Sequence, residues 1–312
     1  MNHLLMAAAL ALAACGDLAP AQHGGGAVRA LAPDDLPAFF DCLRESGQVA
    51  VSVHRGGPSA GYAENAIATF EHTIGAVPAF LEVDVNVTRD GALVLMHDDD
   101  VARTTDGSGA VADMTLARFQ ALRLQDETGA TLDQHPPTLR QALDWASGRA
   151  ILELDIKRSV AFEDVVREVE DAGAMERVVF ITYSVNAAAR LAALAPQAMI
   201  YTTISNAREL DVLERRGVGL DRIVAWIGTD APPPGLVQAL AARGVEARFG
   251  MFGADRNYAN AARVGAQMVA VEDAAEAVRD LDAADGEAGY AALRCAPQRS
   301  PTGRYDRWIN ES

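Results

Sequence analysis

The sequence predicts a single α/β domain folded as a (β/α)8 barrel, the TIM-barrel architecture of eight parallel strands joined by helices. In the second half of the chain, apolar and β-branched runs recur about every 20 to 27 residues, which fits a strand, a crossover helix and the next parallel strand. Between them, segments such as residues 162–175 place their apolar side chains on one helical face. A chain of 312 residues can bury one barrel of about 250 residues. The runs cover residues 150–157, 178–184, 199–205, 223–228, 245–253 and 268–273.

The first half of the chain adds strand candidates at residues 49–54, 80–88 and 93–97, which makes nine where a barrel needs eight. The link Arg89-Asp90-Gly91 is too short for a crossover helix, and Asp-Gly is a hairpin signal. We therefore interpret residues 93–97 as a hairpin return that carries His97 back toward the other strand ends. Two alternatives stay open: one later strand is misassigned, or the sheet is open and doubly wound, which the lack of a Gly-rich strand-to-helix turn disfavours.

The overall charge argues against one class of partner. The formal net charge is -16 and the isoelectric point is about 4.7. Nucleic-acid binding needs clustered Lys and Arg that neutralise a polyanion. We therefore expect no nucleic-acid partner, and any phosphate that the protein handles must be bound locally.

The first residues predict export. Residues 1–14 are apolar, lack acidic residues, Lys and Arg, and with Cys15 resemble a bacterial lipoprotein signal that is too short to span a membrane. We expect lipidation of Cys15, a flexible tether over residues 15–27 and one globular domain over residues 28–312, anchored on the periplasmic side of a bacterial membrane. An ordinary secretory signal or a misassigned start codon are the alternatives, because the basic residue usual before the apolar stretch is missing.

Two cysteines remain when Cys15 is set aside. Cys42 and Cys295 lie near the two ends of the predicted domain. In an exported protein such an even pair is consistent with a disulfide, and two unpaired buried thiols are the alternative.

Polar side chains end several of the apolar runs, where a parallel barrel places its functional groups. His54 can exchange a proton near neutral pH, and Arg55 presents a planar fork to phosphate oxygens. Glu82 and Asp84 are two residues apart and therefore face the same side of their strand. Two buried like charges repel unless a cation lies between them, and oxygen ligands favour Mg²⁺ or Ca²⁺.

Two further strand ends repeat this pattern. His97 supplies a second histidine, so that an acid can complement a base, and the following Asp98 could orient its ring. Residues Glu153, Asp155 and Lys157 alternate along one strand and share one face. Asp155 could complete the carboxylate set and Lys157 could hold phosphate charge, although a salt-bridged inner layer of the barrel is the alternative.

These motifs occur in the order found in one family. They are His54-Arg55-Gly56, Glu64-Asn65, Glu82-x-Asp84, Thr88-x-Asp90-Gly91, His97-Asp98, Arg103-Thr104-Thr105-Asp106-Gly107, Pro137-Thr138-Leu139 and Asp155-x-Lys157. Over residues 50–157 the chain closely resembles the glycerophosphodiester phosphodiesterases. The resemblance implies a TIM barrel with one active-site divalent cation, Ca²⁺ or Mg²⁺, and a glycerophosphodiester substrate that is converted to an alcohol and sn-glycerol 3-phosphate.

The resemblance also assigns roles. It implies that His54 and His97 are the general acid and base, that Arg55 and Lys157 bind the phosphate, and that Glu64, Asn65 and Asp98 support the groups around the reacting atoms. The implied metal ligands are Glu82, Asp84 and Asp155, with Glu153 as the alternative to Asp155.

The chain departs from the family pattern at several positions. Ala63 stands where the family usually has Pro, and Asp155 stands where it usually has Glu, so the ligand arm is one methylene shorter. Glu153 could compensate from the same face, but it lies deeper in the strand. The substrate wall near the C-terminus also differs, and Trp226 could supply its aromatic surface, although we interpret it as a core residue.

Two other functions stay open on the same scaffold. One is a phospholipase D-like or phosphoinositide-specific enzyme that acts on intact lipids. The other is an exported phosphodiester-binding lipoprotein without catalysis, which the paired histidines disfavour because binding alone needs no acid and base.

Overall fold

A computed structural model describes residues 30–253, 257–286 and 289–296 of the chain. The predicted signal over residues 1–14, the lipidated Cys15 and the tether over residues 15–27 lie outside the described residues. In the part of the chain that is described, no helix combines the length and the apolar character needed to cross a membrane.

The predicted barrel is confirmed: eight parallel strands form a closed cylinder. The first strand pairs in parallel with both the second and the last, which closes the sheet without an open edge. The strands are β1 (Ala50–Val53), β2 (Phe80–Val87), β3 (Leu93–Leu95), β4 (Leu152–Ile156), β5 (Val178–Thr182), β6 (Met199–Thr203), β7 (Ile223–Trp226), β8 (Glu246–Met251) and β9 (Met268–Val271).

The ninth strand is the predicted hairpin return. β3 runs antiparallel to β2, with Leu95 opposite Val85. The turn between them closes when the Gly91 N–H donates to the Thr88 carbonyl at 3.0 Å, and Gly91 has φ 83°, a conformation that glycine adopts without strain. β3 therefore lies beside the barrel, and the chain leaves it at the carboxyl end of the parallel strands.

Helices surround the barrel and shield its outer surface. They are α1 (Leu36–Ser46), α2 (Ile67–Ala76), α3 (Leu116–Gln120), α4 (Leu139–Ala146), α5 (Phe162–Asp171), α6 (Val185–Leu194), α7 (Arg208–Arg215), α8 (Leu236–Ala241), α9 (Ala259–Val264) and α10 (Ala274–Asp285). The helix predicted over residues 162–175 ends earlier, at Asp171, because Gly173 takes a left-handed conformation with φ 55°. A 3-10 turn over Met175–Arg177 then leads into β5.

Helix α1 closes the amino-terminal end of the barrel. Its Phe39 stacks on Phe80, the first residue of β2, with ring centroids 5.5 Å apart. Cys42 of the same helix forms a disulfide with Cys295, their Cα atoms 5.5 Å apart. Of the two alternatives for these cysteines, the structure contains the bond, which links the start of the described domain to its end.

Candidate active site

Strands β2 and β4 bring four carboxylates into the lumen of the barrel. In the parallel register Glu82 lies beside Glu153, and Asp84 lies beside Asp155. Because residues two apart in a strand face the same side, all four side chains point inward, and all four are buried. The alternation predicted from the sequence therefore produces two layers of acidic groups, with Asp84 and Asp155 nearer the carboxyl end.

Three of these residues form one cluster, which we call the carboxylate trio: Glu82, Asp84 and Asp155. One oxygen from each lies within 4.8 Å of the others, close enough to share a metal ion. Lys157 Nζ contacts Asp84 Oδ1 at 2.6 Å and Asp155 Oδ2 at 2.7 Å. Burial, and then the charge of Asp84, raise the pKa of Glu82 well above its ordinary range. One lysine therefore does not neutralise the trio.

Glu153 belongs to a different network, deeper in the lumen. Its Oε2 accepts hydrogen bonds from Ser52 Oγ and Arg248 Nη2, both at 2.6 Å, and its Oε1 accepts one from the Tyr201 hydroxyl at 3.0 Å. The Arg248 guanidinium lies over the rings of Tyr201, at 4.8 Å, and Trp226, at 5.2 Å. Glu153 thus has its own buried cation and is not a member of the trio, although it lies beside Glu82.

The segment between β1 and α2 places two strained residues around the trio. Arg55 and Asn65 have φ values of 51° and 58°, and no other non-glycine residue in the described ranges has a positive φ. In this strained conformation the Arg55 N–H donates to Glu82 Oε2 at 2.7 Å. Asn65 Nδ2 donates to Asp84 Oδ2 at 2.7 Å, and Asn65 Oδ1 accepts from the Asp84 N–H at 2.9 Å. The left-handed conformation costs about 1–3 kcal/mol per residue, and it places the donors that hold Glu82 and Asp84.

Each predicted catalytic histidine is paired with a carboxylate. His54 Nδ1 lies 3.1 Å from Glu272 Oε1, and His97 Nδ1 lies 2.6 Å from Asp98 Oδ1. His97 reaches this end of the barrel because the neighbouring Met96 N–H donates to the Asp84 carbonyl at 3.0 Å. Both histidine side chains are about one-third exposed, and His54 lines the same cavity as Glu82 and Asp155.

A chain of ion pairs connects four of the sequence motifs through Arg55, Glu64, Arg103 and Asp98. Arg103 Nε contacts Asp98 Oδ2 at 2.6 Å, and the rest of its guanidinium binds both oxygens of Glu64, at 2.9 and 2.8 Å. Glu64 Oε2 also accepts from Arg55 Nη1 at 3.0 Å. Hydrogen bonding to Arg103, opposed by burial and assisted by His97, lowers the pKa of Asp98 to about 2. Asp98 is therefore a charged partner for His97 across the neutral pH range.

An open cavity of about 190 Å³ reaches from the trio into the lumen. Its lining includes Glu82, Asp155 and His54 together with the aromatic residues Trp226 and Phe252. A side chain at Gly250 would overlap the Trp226 ring, so the glycine makes room for the indole. Trp226, interpreted from the sequence as a core residue, instead forms part of the cavity wall.

Comparisons with known proteins agree with this geometry. A model of the Glycerophosphoryl diester phosphodiesterase family matches residues 54–247, more than half of the chain. The chain belongs to this family.

Curated relatives in the family share only part of their length with the chain. The glycerophosphodiester phosphodiesterase of Caldanaerobacter subterraneus subsp. tengcongensis is 30% identical over 141 residues, which are 43% of this chain and 58% of that protein. A putative glycerophosphodiester phosphodiesterase of Bacillus subtilis is 40% identical over 95 residues, 30% of this chain and 38% of that protein. The chain thus spans less than two-thirds of either relative.

Solved structures match over most of the barrel. A glycerophosphoryl diester phosphodiesterase from Parabacteroides distasonis has a TM-score of 0.73 and 26% identity, covering 82% of this chain and 95% of that one. An Oleispira antarctica phosphodiesterase in complex with the product sn-glycerol-3-phosphate has a TM-score of 0.59 and 22% identity, covering 77% and 99%. At 22% identity, the likeness to the Oleispira antarctica structure shows a shared fold and no more.

The structure adds residues that the family motifs did not indicate. Tyr183 donates its hydroxyl to Asp155 Oδ1 at 2.6 Å, and Phe252 packs 5.5 Å from the His54 ring. Glu272 and Arg248 lie in the C-terminal part of the chain, where the sequence departs from the glycerophosphodiester phosphodiesterase pattern. In the sequence these residues are marked only by lying at or beside positions of β5, β8 and β9 that face the lumen. Those positions can be identified only when the strand register is known.

Proposed function

We propose that the protein is a metal-dependent glycerophosphodiester phosphodiesterase that releases an alcohol and sn-glycerol 3-phosphate by two-histidine acid–base catalysis. The observation that carries this proposal is the carboxylate trio, buried at the carboxyl end of the barrel, together with two carboxylate-paired histidines at the same end. Family membership supports it, and so does the fold shared with a phosphodiesterase that binds sn-glycerol-3-phosphate.

The donor set of the trio fits a hard divalent cation. Three carboxylates offer only oxygen ligands, which suit Mg²⁺ or Ca²⁺ better than zinc. We assign Glu82, Asp84 and Asp155 as the ligands in preference to Glu153, because three donors already engage the oxygens of Glu153. When bound there, a divalent cation would supply positive charge to a phosphodiester oxygen.

The histidines have the arrangement that proton transfer needs. With a carboxylate as its partner, Nδ1 of each ring carries hydrogen, and Nε2 is the nitrogen that can take or give a proton. We propose that one of His54 and His97 takes the proton of the attacking hydroxyl and that the other protonates the departing alkoxide. Glu272 and Asp98 would fix the two ring orientations and stabilise the charged imidazolium forms.

Arg55 and Lys157 are the proposed phosphate ligands. Arg55 Nε is buried with no hydrogen-bond partner, and it lies 3.8 Å from Asp84 Oδ2, within ion-pair range but beyond hydrogen-bonding distance. A buried unsatisfied donor is costly, so an incoming phosphate oxygen is a suitable acceptor. Lys157 is held by Asp84 and Asp155, and we propose that it turns toward the phosphate when the charge of these carboxylates is shared with a cation.

The test is hydrolysis of glycerophosphodiesters with different head groups by the full-length protein under a panel of divalent ions. We expect release of sn-glycerol 3-phosphate, reversible inhibition by EDTA, and loss of turnover in His54→Ala and His97→Ala without loss of folding. Retained turnover in both variants would refute the histidine mechanism, and indifference to EDTA after dialysis would remove the cation. Faster hydrolysis of diacyl than of deacylated substrates would favour the lipid-specific alternative, and binding without turnover under every ion would favour the non-enzymatic one.

We further propose that the protein is exported and anchored through Cys15. The disulfide between Cys42 and Cys295 supports an oxidising compartment, because such bonds are rare in the reducing cytosol. Incorporation of labelled palmitate by the wild type, and its loss in Cys15→Ala, would test the anchor. A wild-type protein that remains unlabelled would refute it.

A further inference from the structure

We propose that Tyr183 is a positioning residue that holds Asp155 in the carboxylate trio and thereby sets the affinity for the cation. This inference rests on the cation site of the proposed function. It gives a role to an aromatic residue outside the sequence motifs.

The position of Tyr183 follows from the strand register. β5 lies next to β4, and Ile181 is the partner of Asp155. Tyr183 is two residues further on, just past the end of β5, so it continues the inward-facing side at the mouth of the barrel. The residue as a whole is 68% exposed, yet its hydroxyl reaches inward to Asp155 Oδ1 at 2.6 Å. The side chain therefore spans the distance between the rim and the buried trio.

Asp155 is supported differently from the other two carboxylates. Glu82 is held by the Arg55 N–H, and Asp84 by the buried amide of Asn65, both from strained positions in the segment between β1 and α2. Asp155 lies on the neighbouring strand β4, and in the described part of the chain its carboxylate accepts hydrogen bonds from two side chains, Lys157 on one oxygen and Tyr183 on the other. Lys157 is shared with Asp84, so Tyr183 is the donor dedicated to Asp155.

The chemistry of the two donors divides their roles. Lys157 brings a positive charge that competes with a cation for the same carboxylates and that the proposed mechanism needs at the phosphate. The phenol is neutral, so it orients Asp155 without cancelling its negative charge. Its ring also turns about only two torsions, which makes it a more rigid support than lysine. When Lys157 turns toward the phosphate, Tyr183 is the donor that keeps Asp155 aimed at the trio.

The experiment compares Tyr183→Phe with the wild type, both stripped of metal. Calorimetric titration with Mg²⁺ and with Ca²⁺ should show an affinity weaker by about 10- to 100-fold for the ion that the wild type binds, the range found when a group that orients a metal ligand is lost. Turnover measured against cation concentration should recover to near the wild-type kcat at saturation. A group that contacts the substrate would instead leave a lasting deficit.

A matched control is Tyr62→Phe, which removes a hydroxyl from a ring that stacks on His72 away from the cavity. This variant should bind the cation as the wild type does. Unchanged cation affinity in Tyr183→Phe, or a kcat deficit that persists at saturating cation, would overturn the inference. If the wild type itself binds neither ion, the proposed cation site has failed instead, so the two failures are distinguishable.

Discussion

Glu153 and Asp155 lie two residues apart on the same face of β4, and substitution to the amide should affect them in opposite ways. Glu153→Gln should destabilise the fold and spare cation binding. Asp155→Asn should spare the fold and weaken cation binding. The sequence alone leaves both residues open as the third ligand, so this pair of variants tests the choice directly.

The magnitudes follow from what each carboxylate contacts. The Glu153 side chain is fully buried and that of Arg248 is 8% exposed, and removing one partner of such a pair costs about 3–5 kcal/mol. Glutamine still accepts a hydrogen bond from Arg248, so we expect about 3 kcal/mol. For a domain of this size that lowers Tm by about 6–12 °C. Asp155→Asn removes one of three mutually repelling carboxylates, so its Tm in EDTA should equal or exceed that of the wild type.

Thermal unfolding in EDTA and calorimetric cation titration provide the two readouts. Glu153→Gln should keep cation affinity within about twofold at a temperature where it is folded, while Asp155→Asn should lose at least about 100-fold, more than the loss of a merely supporting residue. The reasoning would be refuted by a Glu153→Gln protein that melts like the wild type but no longer binds the cation. It would equally be refuted by an Asp155→Asn protein that loses stability and keeps its affinity.

Two further predictions concern stability. The pKa of Asp98 in the folded protein, about 2, lies below its ordinary value of 3.8. The stability that the charged Asp98 contributes is therefore present above about pH 4 and is lost as the pH falls through 2. This pKa shift corresponds to at most about 2.5 kcal/mol, and we reduce it to about 1 kcal/mol because Arg103 is half exposed. Urea denaturation should therefore show Arg103→Leu less stable than the wild type at pH 6 and equal near pH 2, and a gap independent of pH would contradict this. The Cys42–Cys295 disulfide closes a loop over a sequence separation of 253 residues, and its reduction should lower the free energy of unfolding by about 3–5 kcal/mol. If the reductant destabilises the double variant Cys42→Ser/Cys295→Ser equally, the loss of stability has a different cause.

The barrel was predictable because its signals are local. Apolar runs at regular spacing indicate strands, and the short Asp90-Gly91 turn identifies β3 as a hairpin return, which the structure confirms. Carboxylates two apart, such as Glu82 and Asp84, must share a face. Polar groups that end parallel strands must meet at one end of the barrel, so the histidines and acids could be grouped before their distances were known.

The contacts that hold the site residues in place could not be predicted in the same way, because they depend on which strands become neighbours. Arg248 reaches Glu153 across 95 positions of sequence, and Glu272 reaches His54 across 218. Tyr183 finds Asp155 only because β5 pairs with β4 in one particular register. A shift of that register by one residue would turn Tyr183 to the outside, and no local pattern fixes this choice.

The distribution of formal charge through the lumen distinguishes the two neighbouring carboxylates on β4. In the deeper layer Glu153 is balanced by Arg248. At the rim, Arg103 bridges the acids Glu64 and Asp98, and Arg55 pairs with Glu64. Between these two groups, the three carboxylates have one lysine in hydrogen-bond contact, and the Arg55 guanidinium, which already pairs with Glu64, lies 3.8 Å from Asp84, so negative charge is in excess in a buried volume. A buried charge of that size either shifts the pKa of one member upward, as for Glu82, or is neutralised by a divalent cation, and the second route stabilises all three carboxylates at once.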